Sequence, residues 1–152
     1  MINKIKKNIQ SELNDVVFVS SDKFYWAPEL KTIYYDKKSS GNKADLALLH
    51  EIGHAKLNHK SYSSDFNLIQ MEVDAWEEAK NIARKIGIKI DINHIEDCLD
   101  SYRDWIAKRS ECPTCGIRNL QLSSLKGYSC YNCHSKWKVT PSRFCRPYRT
   151  TV

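Results

Sequence analysis

The chain contains no run of about 18 consecutive apolar residues, so it offers no segment that would span a bilayer as a helix. Residues 1–15 interleave lysines with isolated isoleucines and lack the continuous apolar stretch of a secretory signal; they read as a short amphipathic helix. Without a secretory signature, a cytoplasmic setting is expected, and there reduced thiols favour metal over disulfide. Internal repeats and low-complexity segments are also missing, which excludes solenoid and linker-dominated architectures. Acids are scarce at one end only. Residues 108–152 hold one acid against nine Lys and Arg, net +8, whereas residues 1–107 hold 17 acids against 15 basic residues, net −2. Any attraction for a polyanion is therefore concentrated in the last third of the chain.

What is present is compact and specific. A length of 152 residues with 41% hydrophobic content suits one small domain plus an appendage. His50-Glu51-Ile52-Gly53-His54 is an H-E-x-x-H motif, and the surrounding run from Ala44 to Leu57 favours a helix, with Asn42 and Asp45 resembling its N-cap and acidic first turn. Residues four apart on a helix lie about 40° apart, so both imidazoles can reach one metal ion. Leu46, Ala47, Gly53 and Leu57 share their face. Glu51, on the flank, is placed to take a proton from a water activated by that metal and to pass it to a leaving amine. The alternative is a pair of satisfied core histidines.

A third ligand decides between these readings. Residues 65–86 carry an apolar stripe at helical spacing (Leu68, Ile69, Ala75, Ala79, Ile82 and Ile86 among others), and Glu72 falls in the middle of it. A carboxylate there is costly unless a cation or hydrogen bonds compensate it. Asp74, about 200° further round, is the second choice. His59 lies about 180° from His50 on a continuous helix and would meet the metal only if the chain turned after His54; it is expected as a helix C-terminal residue.

His50-Glu51-Ile52-Gly53-His54 followed by Glu72-Val73-Asp74-Ala75-Trp76-Glu77-Glu78-Ala79 resembles the ImmA/IrrE-type metallopeptidases over about residues 30–87. The second motif of that family reads roughly E-x-E-A-x-x-x-A. Here Asp74 replaces its second acid, and Trp76 stands where asparagine is common. The resemblance implies that Glu72 is the third zinc ligand, and that a mobile-element or stress-response regulator, such as a DNA-bound repressor, is the substrate.

Cys112-Pro113-Thr114-Cys115 and Cys130-Tyr131-Asn132-Cys133 are two C-x-x-C knuckles, which predict a four-thiolate structural zinc site in a ribbon. Gly116 and Asn132 suit the knuckle turns, and His134 is a reserve ligand. Of the other two cysteines, Cys98 is expected in a helix core and Cys145 as a loose thiol. Tyr128, Tyr131, Trp137, Phe144 and Tyr148 lie among Arg118, Lys126, Lys136, Lys138, Arg143, Arg146 and Arg149, a mixture suited to stacking on exposed bases while cations meet phosphates. The competing reading is that the aromatics form the ribbon's own core and the basic tail is only a solvated end.

The expected fold is α+β. A small zincin-like metallopeptidase domain (residues 1–109) with a short sheet and active-site helices precedes a zinc ribbon (residues 110–140) and a basic tail (residues 141–152). Strands are expected at residues 16–20 and 31–36, with a turn at Ala27-Pro28, and in the ribbon at 119–122, 128–129 and 136–140. Residues 33–36 are a candidate edge for pairing with a substrate backbone. Gly87 is expected to end the Glu72 helix, and Asn93 with Glu96 to cap a helix over residues 93–109. From that last helix, His94, Tyr102 and Arg103 are candidates to hold a tetrahedral oxyanion. The function expected is a zinc metalloendopeptidase, a hydrolase with one catalytic and one structural Zn²⁺: His50, His54 and Glu72 hold the first, Glu51 is the catalytic residue, and the four cysteines hold the second. Expected partners are a protein substrate and nucleic acid at the basic ribbon, with no membrane. In layout this resembles the SprT-type proteases, which join an H-E-x-x-H domain to a zinc ribbon but use a third histidine. The alternative is a nucleic-acid-binding or regulatory zinc protein with an inactive peptidase-like domain, or a stoichiometric antagonist of a repressor.

Overall fold

The computed structural model describes residues 2–121, 127–140 and 149–152. Among these, four α-helices and two three-stranded sheets form an α+β protein. The chain separates into two compact units, Met1–Ser61 with Gln70–Glu96, and Tyr62–Ile69 with Asp97–Val152. The third and fourth helices each contribute residues to both units. No helix of the described residues is long and apolar enough to cross a membrane.

The first unit begins with α1 (Ile2–Ile9), which buries Ile5 and Ile9. β1 (Val17–Ser21), β2 (Tyr25–Ala27), a 3₁₀ turn at Pro28–Leu30 and β3 (Thr32–Asp36) follow. The strand order is β1-β3-β2, with β1 parallel and β2 antiparallel to β3. β3 is thus the central strand, not an edge, because both its sides are paired from Thr32 to Tyr34. β1 and β2 form the two edges instead, and β2 is a strand for which none was expected. Ile33 is fully buried, and Tyr25 stacks on Tyr34 with ring centroids 4.3 Å apart.

α2 (Asn42–Lys56) is buried on most of its circumference, including Leu46, Leu48, Leu49, Ile52 and Gly53, while Leu57 just past its end is 43% exposed. Its N-cap is Gly41 at φ +91°, not Asn42, whose amide donates to the Lys89 carbonyl at 2.7 Å. α3 (Asp65–Ile86) has the expected limits, set by 22 residues of sustained helical periodicity. Gly87, at φ +71°, closes it in a Schellman turn in which the Ile88 N–H bonds the Ala83 carbonyl at 2.9 Å. α4 (Ile92–Ser110) is capped by Asp91, whose carboxylate accepts the His94 N–H at 3.1 Å, so the Asn93-Glu96 box is not used.

The second unit contains β4 (Gly127–Ser129), β5 (Lys136–Val139) and β6 (Arg149–Thr151), antiparallel in that order. Residues 119–121 form no strand; Gln121 makes only an isolated bridge to Tyr128, and Leu122 lies outside the described residues. Tyr128 and Trp137 face each other across β4 and β5, stacked at 5.4 Å, and each is 1% exposed beside Cys112 and Cys130. A buried polar cluster adjoins them. Asp65 pairs with Arg109 (2.9 Å) and accepts the Tyr128 hydroxyl, while the Asp65 N–H donates to Gln121 Oε1 at 2.7 Å. Arg109 also lies over the Trp105 ring and donates to the Thr140 carbonyl. Burial and the Asp65 carboxylate push the Tyr128 hydroxyl well above the ordinary tyrosine range.

Candidate metal centres

In the first unit, α2 presents His50 and His54 toward Glu72 of α3. The Nε2 atoms of the two histidines are 3.1 Å apart, His50 Nε2 is 3.1 Å from Glu72 Oε2, and His54 Nε2 is 3.6 Å from Glu72 Oε1. Around a tetrahedral ion with bonds of about 2.0–2.1 Å, neighbouring ligand atoms stand about 3.3 Å apart. The two histidines each face a different oxygen of the Glu72 carboxylate, and one ligand atom from each of the three residues lies within 4.8 Å of the others, so the group could hold a metal ion. Asp74 is on the exposed side of α3, held by Gln70 at 2.9 Å, and takes no part.

Backbone proximity makes this convergence possible. A Cβ built on Gly53 would lie 2.4 Å from the Ala75 carbonyl oxygen, so only glycine lets α2 approach α3 this closely. Gly53→Ala must push the helices apart. We expect it to cost about 1–3 kcal/mol of stability and to weaken any metal binding at His50, His54 and Glu72, with the four-cysteine cluster unchanged. Urea unfolding and chelator competition would check this, and unaltered affinity would contradict it.

The charges fit a cation. Burial acts to raise the Glu72 carboxyl, but hydrogen bonds and charge from His50 and His54 outweigh it and hold the group well below the usual carboxylate range. Glu51 behaves oppositely: burial pushes its carboxyl above the ordinary glutamate range, against the effect of the two histidines and the Trp26 N–H. That N–H donates to Glu51 Oε2 at 2.8 Å and ties the acid to β2. The role of Trp26 was not expected, because it works through the backbone of a three-residue strand.

Trp76 packs flat on His50, with ring centroids 4.2 Å apart, and His94 meets the edge of Trp76 at 6.3 Å. His94 is thus one ring removed from His50. Arg103, proposed alongside it, pairs with Asp100 at 2.7 Å. His59 does not extend α2. Asn58 adopts φ +52°, the Asn58 N–H bonds the Ala55 carbonyl and the His59 N–H bonds the His54 carbonyl, a Schellman closure that folds His59 back against the helix. Its Nδ1 then lies 2.8 Å from Nδ1 of His54, on the other side of that ring from the Nε2 that meets His50 and Glu72. Burial, and then the facing His54 ring, lower His59 below the ordinary histidine value.

In the second unit the four knuckle cysteines come together. Cys112 and Cys133 sulfurs are 3.6 Å apart, Cys115 and Cys130 sulfurs 3.5 Å, and all four lie within 4.8 Å of one another. Bonds of about 2.3 Å to a tetrahedral zinc would place sulfurs about 3.8 Å apart. Backbone N–H groups of Thr114 and Cys133 point at the Cys112 and Cys130 sulfurs, as thiolates require. Crowding keeps all four from ionising together. Although the Ile117 N–H acts to lower it, burial and the Cys130 and Cys133 sulfurs push Cys115 up to about 11. A dication removes that conflict.

Gly116 and His134 each follow a second knuckle cysteine and each has positive φ, +74° and +61°. Asn132 lies within the turn of the second knuckle, as expected, and His134 takes the left-handed position that follows it. His134 is exposed and outside the four-sulfur cluster. Cys98 is half-buried. Of the aromatic residues considered for base stacking, Tyr128 and Trp137 are core, whereas Tyr131 is 72% exposed. Arg118, Lys136 and Lys138 are exposed. Lys126, Arg143, Phe144, Cys145, Arg146 and Tyr148 lie outside the described residues. No protein-family model, curated protein or solved structure matches this chain.

Proposed function

We propose that the chain is a zinc-dependent endopeptidase of the H-E-x-x-H type, as its resemblance to the ImmA/IrrE-type metallopeptidases implies, with a structural zinc in the ribbon. The observation that carries this reading is the pairing of a three-ligand cluster with an acid beside it. His50, His54 and Glu72 offer one ligand atom each within 4.8 Å of one another, and Glu51 sits next in sequence to His50 with its carboxyl raised by burial. A purely structural site has no use for that acid.

His50, His54 and Glu72 would hold the ion, which would supply Lewis acidity toward a scissile carbonyl and an attacking water. Glu51 takes the proton which that water loses on attack and returns it to the amide nitrogen as the C–N bond breaks. A raised pKa suits both halves of this transfer. The Trp26 N–H occupies Oε2 and leaves Oε1 for the proton. Glu72, held ionised by the histidines, offsets part of the ion's charge.

The second unit has the composition of a docking module. Exposed Arg118, Lys136 and Lys138, with Tyr131, support contact with nucleic acid or with a protein bound to it, such as a repressor. The reading is tested by incubating zinc-loaded wild type and Glu51→Gln with a peptide library and following cleavage by mass spectrometry. Cleavage by wild type alone, at equal zinc content, supports it. Equal cleavage by both contradicts it.

A further inference from the structure

The two histidines of the cluster are held in different ways. His50 is fixed by the face of Trp76, and among the described residues its Nδ1 has no hydrogen-bond partner. His54 has one: its Nδ1 is 2.8 Å from Nδ1 of His59. Two bare ring nitrogens at that distance would repel, so one of them carries the proton. With His54 Nε2 turned toward Glu72 and His50, a ligand's lone pair must be on Nε2, and a neutral imidazole then has its hydrogen on Nδ1. With an ion on His54 Nε2, His54 would be the donor and His59 the acceptor.

His59 is itself held in place for this. The left-handed turn at Asn58 reverses the chain, the His59 N–H returns to the His54 carbonyl at 3.0 Å, and the Trp26 indole Nε1–H donates to the His59 carbonyl at 2.9 Å. Trp26 thus secures both sides of the motif, Glu51 through its backbone N–H and His59 through its ring.

We propose that His59 is the positioning residue of the candidate zinc site: by accepting the His54 Nδ1–H it fixes the tautomer and ring plane that aim His54 Nε2 at the ion. This rests on the reading of His50, His54 and Glu72 as a zinc site. Partners of this kind raise ligand basicity, and losing one typically costs about 10–100-fold in metal affinity. Histidine in this role, rather than a carboxylate, adds no negative charge to a cluster that already contains Glu72 and Glu51.

Zinc affinity of the full chain is measured by chelator competition for wild type, His59→Phe and His59→Asn, with the four-cysteine site as internal reference. His59→Phe removes the acceptor and is expected to weaken only the His50-His54-Glu72 site, by about 10–100-fold. His59→Asn places a carbonyl oxygen near the lost Nδ1 and is expected to restore affinity to within about threefold of wild type, on the order of 0.7 kcal/mol. Nitrogen NMR of zinc-loaded wild type gives a second readout that needs no variant to fold: His59 should carry its proton on Nε2 and His54 on Nδ1. A proton on His59 Nδ1, or His59→Phe binding zinc as tightly as wild type, would overturn the proposal. If wild type and a His50→Ala/His54→Ala variant hold equal zinc, the zinc-site reading itself has failed, and the proposal falls with it.

Discussion

Glu51→Gln is expected to lower peptide hydrolysis by about 10²–10⁴-fold while leaving zinc content and fold intact. Glutamine has nearly the volume of glutamate, and its amide oxygen can still accept the Trp26 N–H, so the tie to β2 survives. What it lacks is the capacity to hold and return a proton. The half-buried setting of Glu51 makes this loss hard to replace, because surroundings that desolvate the carboxyl also limit access for a buffer base. Turnover of a peptide identified from the library, read alongside zinc stoichiometry, checks the expectation. A decrease smaller than about tenfold would place the proton transfer on another group. A stoichiometric repressor antagonist would keep its binding in the same variant.

The second large effect concerns the second unit and has nothing to do with chemistry. Asp65→Ala is expected to destabilise the protein by about 3–5 kcal/mol, because it leaves the Arg109 guanidinium, 2% exposed, without its counter-charge. It also removes the acceptor of the buried Tyr128 hydroxyl, at the point where Tyr128 stacks on Trp137. Replacing both members of the pair, Asp65→Leu with Arg109→Met, should recover much of the loss, since a packed apolar pair costs less than a stranded charge. Urea unfolding of the zinc-loaded variants measures both. A loss below about 1 kcal/mol for Asp65→Ala would mean that Arg109 finds another partner or water.

Most of the helical framework was legible, and so was the clustering of the site residues. α3 has its expected limits because 22 residues of periodicity leave little room for another reading, and Glu72 stood out as an acid inside an apolar stripe. The same logic of spacing brought His50 and His54 onto one face and the four cysteines into one cluster. What escaped was set by contacts distant in sequence or by single backbone angles. β2 and β6 are three residues each, too short to display a period, and β3 lies centrally because of a strand order that no local pattern encodes. His59 was placed by assuming a continuous helix, whereas Asn58 turns the chain; an asparagine just past a helix end, the usual substitute for glycine there, was the available signal. Aligning Cys-Pro-Thr-Cys-Gly with Cys-Tyr-Asn-Cys-His would likewise have put His134 in the place of Gly116.

On the proposed reading, one chain holds two zinc ions in two different donor sets. Elemental analysis of purified wild type, His50→Ala/His54→Ala and Cys112→Ser/Cys115→Ser measures it most directly. Two zinc ions per chain are expected, with a different one lost in each double variant. One zinc per chain, lost only with the cysteines, would contradict it and leave the basic ribbon of a binding module as the functional part of the molecule.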